Sequence, residues 1–142
     1  MILDANVLIH AADVLSPFHQ RSHAWLRAAY ASGRRLGFPW QSIGAFHRIT
    51  THPRLSPSPM THDEAHAFIS AWLTQPAAWI PSVSKRTVAI YASLASRHHV
   101  TGNLVPDAQL AALALEHSVP VVSFDGDFAR FTEIQWINPL HP

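Results

Sequence analysis

The first residues of the chain constrain its fold more than any other segment. Three apolar residues are followed directly by Asp4, and the sequence then turns apolar again. A buried strand over residues 1–3 and a helix from Asn6 onward would place Asp4 at the carboxyl end of the strand. Ligands of open parallel sheets bind in the crevice outside those ends. A charge directly after a buried strand costs stability unless something pairs with it, so we interpret Asp4 as a functional acid.

Three further acids occupy comparable positions in the chain. Asp125 and Asp127 follow an apolar segment at residues 119–124, and Asp107 opens an apolar helical pattern. If these side chains converge with Asp4, their repulsion in a partly desolvated crevice requires either protons or a cation. Carboxylate ligands in a chain without cysteine favour Mg²⁺ or Mn²⁺. The sequence therefore predicts a divalent metal site.

Each of these three acids also has a purely structural interpretation. Asp107 follows Pro106 and could cap the helix that comes after it. Asp125 and Gly126 could form an ordinary turn, and Asp127 could cap a short helical turn at residues 128–131. Asp4 has no comparable alternative.

The order of predicted elements indicates the fold class. Short apolar segments alternate with helical patterns of roughly ten to fifteen residues, which is typical of βαβ units with right-handed crossovers. We expect strands at residues 1–3, 36–39, 79–80, 121–124 and 135–137, and helices at 6–12, 17–30, 42–51, 61–73, 84–98 and from 107 onward. This pattern predicts an α/β fold, a three-layer α/β/α sandwich with a small, mostly parallel sheet. Residues 1–142 are expected to form a single domain.

Composition excludes several classes of protein. The net charge of +1 is too balanced to indicate nucleic-acid binding by charge alone, although nine of the ten basic residues are arginines. The absence of cysteine excludes disulfides and thiolate zinc sites. No apolar run approaches the roughly 18 residues of a membrane span, so we expect a cytoplasmic protein without membrane contact.

Four segments in this order resemble the PIN-domain proteins, and more narrowly the mycobacterial kind of VapC toxin from bacterial toxin–antitoxin pairs. They are MILDANVLI at residues 1–9, FHRITTHPR at 46–54, GNLVPDAQLAALA at 102–114 and SFDGDF at 123–128. The resemblance covers essentially the whole chain. It implies a Mg²⁺- or Mn²⁺-dependent endoribonuclease, usually a homodimer, that cuts RNA and is neutralised by an antitoxin protein whose tail fills the acidic crevice.

The resemblance also implies roles for individual residues. Asn6 stands where the family has a residue that orients a ligand carboxylate or water, and Ser42 stands where a helix start approaches the site. Arg48 and Arg54 are candidates for holding RNA phosphates, although solvated surface charges would look the same in the sequence. The acids carried over are Asp4, Asp107 and Asp125 as metal-binding and catalytic residues, and Asp127 as an auxiliary metal-binding acid.

One position departs from the family pattern. Many members have a glutamate two residues before the position of His47, and this chain has Ala45 there. We therefore expect one metal ion to be retained well and a second to be weak. Glu64 is the nearest acid in sequence, but it falls in the first turn of a predicted helix, where the helix dipole accounts for it.

Two other functions remain open at the level of sequence. Asp4 and Lys85 give a faint likeness to haloacid-dehalogenase phosphatases, whose strand-end aspartate is the nucleophile, but Asn6 cannot supply their second acid. The loss of an acid at Ala45 is compatible with a degenerate PIN domain that binds RNA or a partner without cleaving RNA.

The eleven histidines are expected to be mostly surface residues. His62 and His66 lie four residues apart on one predicted helix face, but no third ligand lies nearby in sequence. The homodimer is expected to use helices that carry Tyr30, Phe68 or Trp72.

Overall fold

Five parallel strands form one small sheet in the computed structural model, which describes residues 1–141. The spatial order is β3-β2-β1-β4-β5, and every neighbouring pair is parallel. The predicted fold class is confirmed, and each predicted strand position contains a strand. The strands are β1 (Ile2–Leu3), β2 (Leu36–Gly37), β3 (Ala78–Trp79), β4 (Val121–Val122) and β5 (Trp136–Ile137).

Six α-helices and one 3-10 helix connect these strands. None of the helices in the described part of the chain has both the length and the apolar character that crossing a bilayer requires. The α-helices are α1 (Ala5–Ala12), α2 (His19–Ala31), α3 (Trp40–Thr51), α4 (His62–Leu73), α5 (Lys85–Arg97) and α6 (Leu104–Glu116), and the 3-10 helix is Gly126–Arg130.

The two faces of the sheet are covered by different helices. Successive residues of a strand point to opposite faces, so Leu3 and Val122 enter the core built with α1 to α4. Ile2 and Val121 enter the second core, which α5, α6 and the 3-10 helix complete. All four side chains are fully buried. Burial on both faces explains why the strands are continuous apolar runs, as is usual for parallel sheets.

The strand order reverses direction between β1 and β4. The chain leaves β1 toward β2 and β3 on one side, and β4 and β5 lie on the other side. A crevice for ligands forms at such a switch point, outside the carboxyl ends of the strands. The Asp4 backbone N–H donates to the Val122 carbonyl at 3.0 Å, so the ends of β1 and β4 are joined directly at this crevice.

Helix α6 begins three residues earlier than predicted. It starts at Leu104, with Asn103 before it, and Pro106 and Asp107 both lie in its first turn. Proline is tolerated there because the first N–H groups of a helix have no partner within the helix. The interpretation of Asp107 as an N-cap is therefore wrong. Asp127 does not cap the next element either, because the 3-10 helix is capped by Asp125, whose carboxylate accepts from the Asp127 N–H at 2.8 Å.

The aromatic residues on the helices expected at a dimer surface make contacts within the chain and stay partly exposed. Phe68 and Trp72 on α4 contact Phe46 on α3 in edge-on arrangements, with ring centroids 6.5 and 5.1 Å away. The Tyr30 hydroxyl donates to the Trp72 carbonyl at 3.1 Å. These side chains hold α3 and α4 together and belong to the first core.

Two glycines make a testable contrast in stability. A Cβ added at Gly37 would lie 3.1 Å from the Met1 carbonyl oxygen and 3.2 Å from the Trp79 ring, whereas one added at Gly44 on α3 would meet nothing within 4 Å. We expect Gly37→Val to lower the free energy of unfolding by about 1 to 3 kcal/mol through overpacking. Gly44→Ala should raise it by about 0.5 to 1 kcal/mol by restricting the unfolded chain. Denaturant unfolding measures both, and equal effects would contradict this packing.

Candidate metal centre

Three carboxylates from distant parts of the sequence lie together at the crevice. Oxygen atoms of Asp107, Asp125 and Asp127 all lie within 4.8 Å of one another. Among residues 1–141 these are the acids and histidines that form such a group of three. Asp107 comes from the first turn of α6, and Asp125 and Asp127 come from the segment after β4. Asp125 and Asp127 are exposed and Asp107 is half-buried, so the group is open to solvent on one side.

Asp4 lies deeper in the same crevice and is held by hydrogen bonds. It precedes α1 and follows β1, as the sequence predicts. Its Oδ2 accepts from the Ser123 hydroxyl at 2.7 Å and from Asn6 Nδ2 at 2.8 Å. Two donors on one oxygen fix the orientation of the Asp4 carboxylate relative to β4.

Sequence reasoning missed Ser123, which organises the centre. Its side chain is fully buried, and its Oγ donates to Asp4 and accepts from the Asp125 N–H at 3.0 Å. Asn6 Nδ2 lies 2.9 Å from the same oxygen. One hydroxyl thus positions both the first acid and the loop that carries Asp125. A polar residue directly after a fully apolar strand was the signal in the sequence that could have identified it.

Asn6 ties the start of α1 to the end of β4. Its Nδ2 reaches Asp4 and Ser123, and its Oδ1 accepts from the Phe124 N–H at 3.2 Å. Every polar atom of this amide side chain has a partner, so its orientation is determined by the network. The expected orienting role of Asn6 therefore has a geometric basis.

Burial and repulsion from neighbouring carboxylates raise the pKa values of Asp107 and Asp4. Burial raises the pKa of Asp107 to about 7, and the charges of Asp125, Asp4 and Asp127 add to the effect. Burial also raises the pKa of Asp4, although the hydrogen bond from Ser123 opposes the shift and the charge of Asp125 adds to it. The Coulombic influence of Asp4 on Asp107 and of Asp125 on Asp4 means that all four acids share one electrostatic environment.

The residues present fit a hard divalent cation. Oxygen ligands at this spacing suit Mg²⁺ or Mn²⁺, which relieve the repulsion that otherwise favours protonation. Ser42, which lies in the first turn of α3, is buried, and its Oγ has no hydrogen-bond partner among the described residues. Helix α3 follows β2 and so starts at the same edge of the sheet as the acids. These features agree with the place expected for Ser42.

Several other expected residues lie away from the acids or are already engaged. Glu64 belongs to a capping box on α4, where its Oε2 accepts from the Thr61 N–H at 2.7 Å, so it does not replace the acid missing at Ala45. Arg48 and Arg54 are both exposed. Arg54 follows the C-terminus of α3, at the far end from the crevice, and among residues 1–141 neither arginine forms an ion pair with an acid.

Sequence comparison finds close relatives over nearly the whole chain. The family model described as PIN domain matches residues 1–134. Ribonuclease VapC37 of Mycobacterium tuberculosis is 38% identical over 138 residues, covering 97% of this chain and 96% of the relative. Ribonuclease VapC33 of the same species is 32% identical over 140 residues, covering 99% and 98%.

Solved structures share the fold at lower sequence identity. The VapBC2 structure from Rickettsia felis, bound to a DNA fragment from the promoter, superposes with a TM-score of 0.72 at 13% identity, covering 96% of each chain. VapC20 of Mycobacterium tuberculosis, described as a toxin that cleaves the sarcin–ricin loop, gives a TM-score of 0.69 at 16% identity, covering 92% of this chain and 94% of that one. At these identities the likeness concerns the fold alone.

The raised pKa of Asp107 predicts how stability depends on pH without metal. An unfolded aspartate ionises near pH 3.8, whereas folded Asp107 ionises near pH 7, so the folded state binds the extra proton between these values. The stabilisation that this bound proton gives the folded state is present at low pH and is lost as pH rises through 7. With a chelator present, we expect the melting temperature to fall between pH 5 and 8, and Asp107→Asn to reduce that fall.

The matched control for this prediction is Asp63→Asn, on the exposed first turn of α4. For this variant, the melting temperature should fall with pH as steeply as for the unmodified protein. Mg²⁺ added at pH 8 should restore the melting temperature of the unmodified protein more than that of Asp107→Asn. Identical slopes for all three proteins would show that Asp107 has no raised pKa.

Proposed function

The chain belongs to the PIN-domain family and to its VapC ribonucleases, and we propose that it is the toxin component of a type II toxin–antitoxin pair. As such it hydrolyses RNA phosphodiester bonds endonucleolytically at a centre that depends on Mg²⁺ or Mn²⁺. The observation that carries the proposal is the convergence of Asp107, Asp125 and Asp127, with Asp4 oriented beside them. We place this activity in the cytoplasm, where RNA substrates are available.

Each side chain has a defined part in this proposal. Asp107, Asp125 and Asp127 would bind the cation through oxygens within 4.8 Å of one another, and Asp4, also expected as a ligand, would act from the more buried side of the site. The bound cation would supply an activated water and neutralise charge that builds up on the scissile phosphate. Since Ala45 removes one acid of the family pattern, we propose that one ion is held tightly. Arg48 is a candidate for contacting RNA phosphates, whereas the position of Arg54 favours it less.

Cleavage of RNA tests the proposal directly. Purified protein with Mn²⁺ or Mg²⁺ should cut RNA, and Asp125→Asn should lower the rate by about 100-fold or more because a metal ligand is lost. Ser123→Ala should lower it by roughly 10- to 100-fold, because Asp4 and the Asp125 N–H lose the group that positions them. Asp63→Asn should cleave like the unmodified protein.

Three results would overturn this assignment. Undiminished cleavage by Asp125→Asn would point to a contaminating nuclease. Binding of RNA without cleavage under any metal condition would favour the degenerate, binding-only function. Trapped phosphate on Asp4 after incubation with a small phosphoester would instead support the phosphatase alternative.

An exposed apolar groove supports the proposed homodimer. It lies between the start of α3 and the helices α5 and α6, has a volume of about 460 Å³, and is lined on its apolar side by Trp40, Val83, Val88, Tyr91 and Leu113. The exposed fractions of Trp40, Val83 and Val88 are 76%, 63% and 60%. We propose that a second copy of the chain covers these exposed apolar side chains, because burying them removes apolar surface from water.

The antitoxin would then use a different surface. Val14, Leu15 and Leu55 form further exposed apolar positions, at the loops after α1 and after α3. We propose that the antitoxin docks on these residues, at the far ends of α1 and α3 from the crevice, and that a basic tail runs back along the toxin into the acidic crevice. The assembly of toxin and antitoxin chains in the VapBC2 structure supports a partner of this kind.

A charge placed in the groove should prevent dimer formation. Val88→Glu buries an unpaired carboxylate in the proposed interface, which costs about 3 kcal/mol or more and should raise the dissociation constant at least about 100-fold. Val14→Glu adds the same charge outside the groove and should leave the dimer intact. Light scattering at micromolar concentration distinguishes the two. A monomeric unmodified protein, or dissociation of both variants alike, would contradict this interface.

A further inference from the structure

A cluster of three histidines lies outside the acidic crevice. His47 is on α3, and His62 and His66 are on α4. His62 and His66 are exposed and His47 is half-buried. The sequence shows only the pair on α4, which is four residues apart, and tertiary packing of α3 against α4 brings in His47 from 15 residues away.

The nitrogen atoms of two of these rings are spaced like ligands of one metal ion. His47 Nε2 lies 3.1 Å from His62 Nδ1. Two imidazole nitrogens bound to one tetrahedral ion at 2.0 to 2.1 Å are about 3.3 Å apart. A small rotation of the rings would therefore turn their shared hydrogen bond into two bonds to a single ion. A hydrogen bond between two neutral histidines also explains this pair, so a metal site here requires the third ring.

His66 is the third ring of the cluster, and it must turn to join the ion, because among residues 1–141 only the three carboxylates have ligand atoms that all lie within 4.8 Å of one another. Its ring stacks beside that of His62, with centroids 5.9 Å apart and planes 19° apart. Residues four apart on a helix are neighbours on its surface, which lets both rings turn toward one ion. At present His66 Nε2 lies 3.3 Å from Ser70 Oγ, so joining the ion exchanges one exposed hydrogen bond for a metal bond.

A second pair of histidines, on α2, has the same helical spacing and serves as a comparison for the pair on α4. His19 and His23 are also four apart on one helix, α2, and stack with centroids 5.7 Å apart. His10 approaches His19 only through its backbone carbonyl, at 3.2 Å, while the His10 ring packs against Phe18 and Phe124. The pair on α4 therefore has a histidine nitrogen from another helix in contact, whereas the pair on α2 has a backbone carbonyl there.

We propose that His47, His62 and His66 form a binding site for a transition-metal ion such as Zn²⁺, separate from the carboxylate centre. Imidazole ligands suit Zn²⁺, Cu²⁺ and Ni²⁺, whereas carboxylates suit Mg²⁺ and Mn²⁺, so the two sites select different ions. Water completes the coordination because the cluster faces solvent. The ion bridges α3 and α4, and it binds only the folded arrangement of these helices. Binding therefore stabilises the fold.

Calorimetric titration with Zn²⁺ in excess Mg²⁺ tests the site on the full chain. We expect one binding event that weakens at least about tenfold in His47→Asn and in His62→Asn, since each loses a ligand. His23→Asn removes a histidine from the comparison pair and should leave that event unchanged. Zn²⁺ should also raise the melting temperature of the unmodified protein by several degrees, and this rise should be smaller in His47→Asn.

A second measurement does not depend on the variants folding well. Long-range nitrogen–proton spectra of the unmodified protein should show the ring nitrogens of His47, His62 and His66 shifting together with one equivalent of Zn²⁺. Shifts of His62 and His66 without His47, or affinity equal to that of the His19 and His23 pair, would overturn the proposed three-histidine site. Absence of saturable Zn²⁺ binding in the presence of Mg²⁺ would do the same.

Discussion

Repulsion among like-charged carboxylates is the constraint on which the rest of the structure depends. Four acids share one crevice, and burial with mutual repulsion raises the pKa of Asp107 to about 7. The protein keeps these groups together by supplying fixed donors. The Ser123 hydroxyl and the Asn6 amide hold Asp4, and the Ser123 oxygen also accepts from the Asp125 backbone. The repulsion that remains is the driving force for binding a cation.

The sheet around this crevice is built from very short strands. Each strand has only two residues in ladder pairing, so the sheet gains its stability from burial on both faces more than from its hydrogen bonds. Reversal of strand order between β1 and β4 creates the crevice, and the backbone hydrogen bond from the Asp4 N–H to the Val122 carbonyl joins the two strand ends there. Helix α6 runs back from this edge toward the start of β4, and its early start at Leu104 puts Asp107 in the first turn.

The outer surfaces divide into regions of different chemistry. The groove between α3, α5 and α6 is apolar and suits another protein surface, whereas the face shared by α3 and α4 carries imidazole nitrogens in contact. The crevice at the carboxyl ends of the strands is acidic. Helix α3 takes part in all three regions, with Trp40 at the groove, Ser42 toward the crevice and His47 at the histidine cluster. The proposed dimer surface, acidic centre and histidine site would therefore share one helix.

Local sequence was sufficient for the fold class and for all five strand positions. Short apolar runs that end in an acid specify a buried parallel strand and a charge at its carboxyl edge, and both properties depend only on neighbouring residues. The start of α6 was misplaced because proline weakens a helix prediction, although its ring is tolerated in the first turn.

Tertiary structure alone decided which side chains meet. The acids were expected to converge, but the spacing of Asp107, Asp125 and Asp127, the hydrogen bond from Ser123 to Asp4 and the packing of Trp72 on Phe46 come from the folded chain. Such contacts join residues up to 119 positions apart in the chain. Their distances follow from strand order and helix packing, which depend on the whole core, so a local pattern can single out a residue such as Ser123 but not its partner.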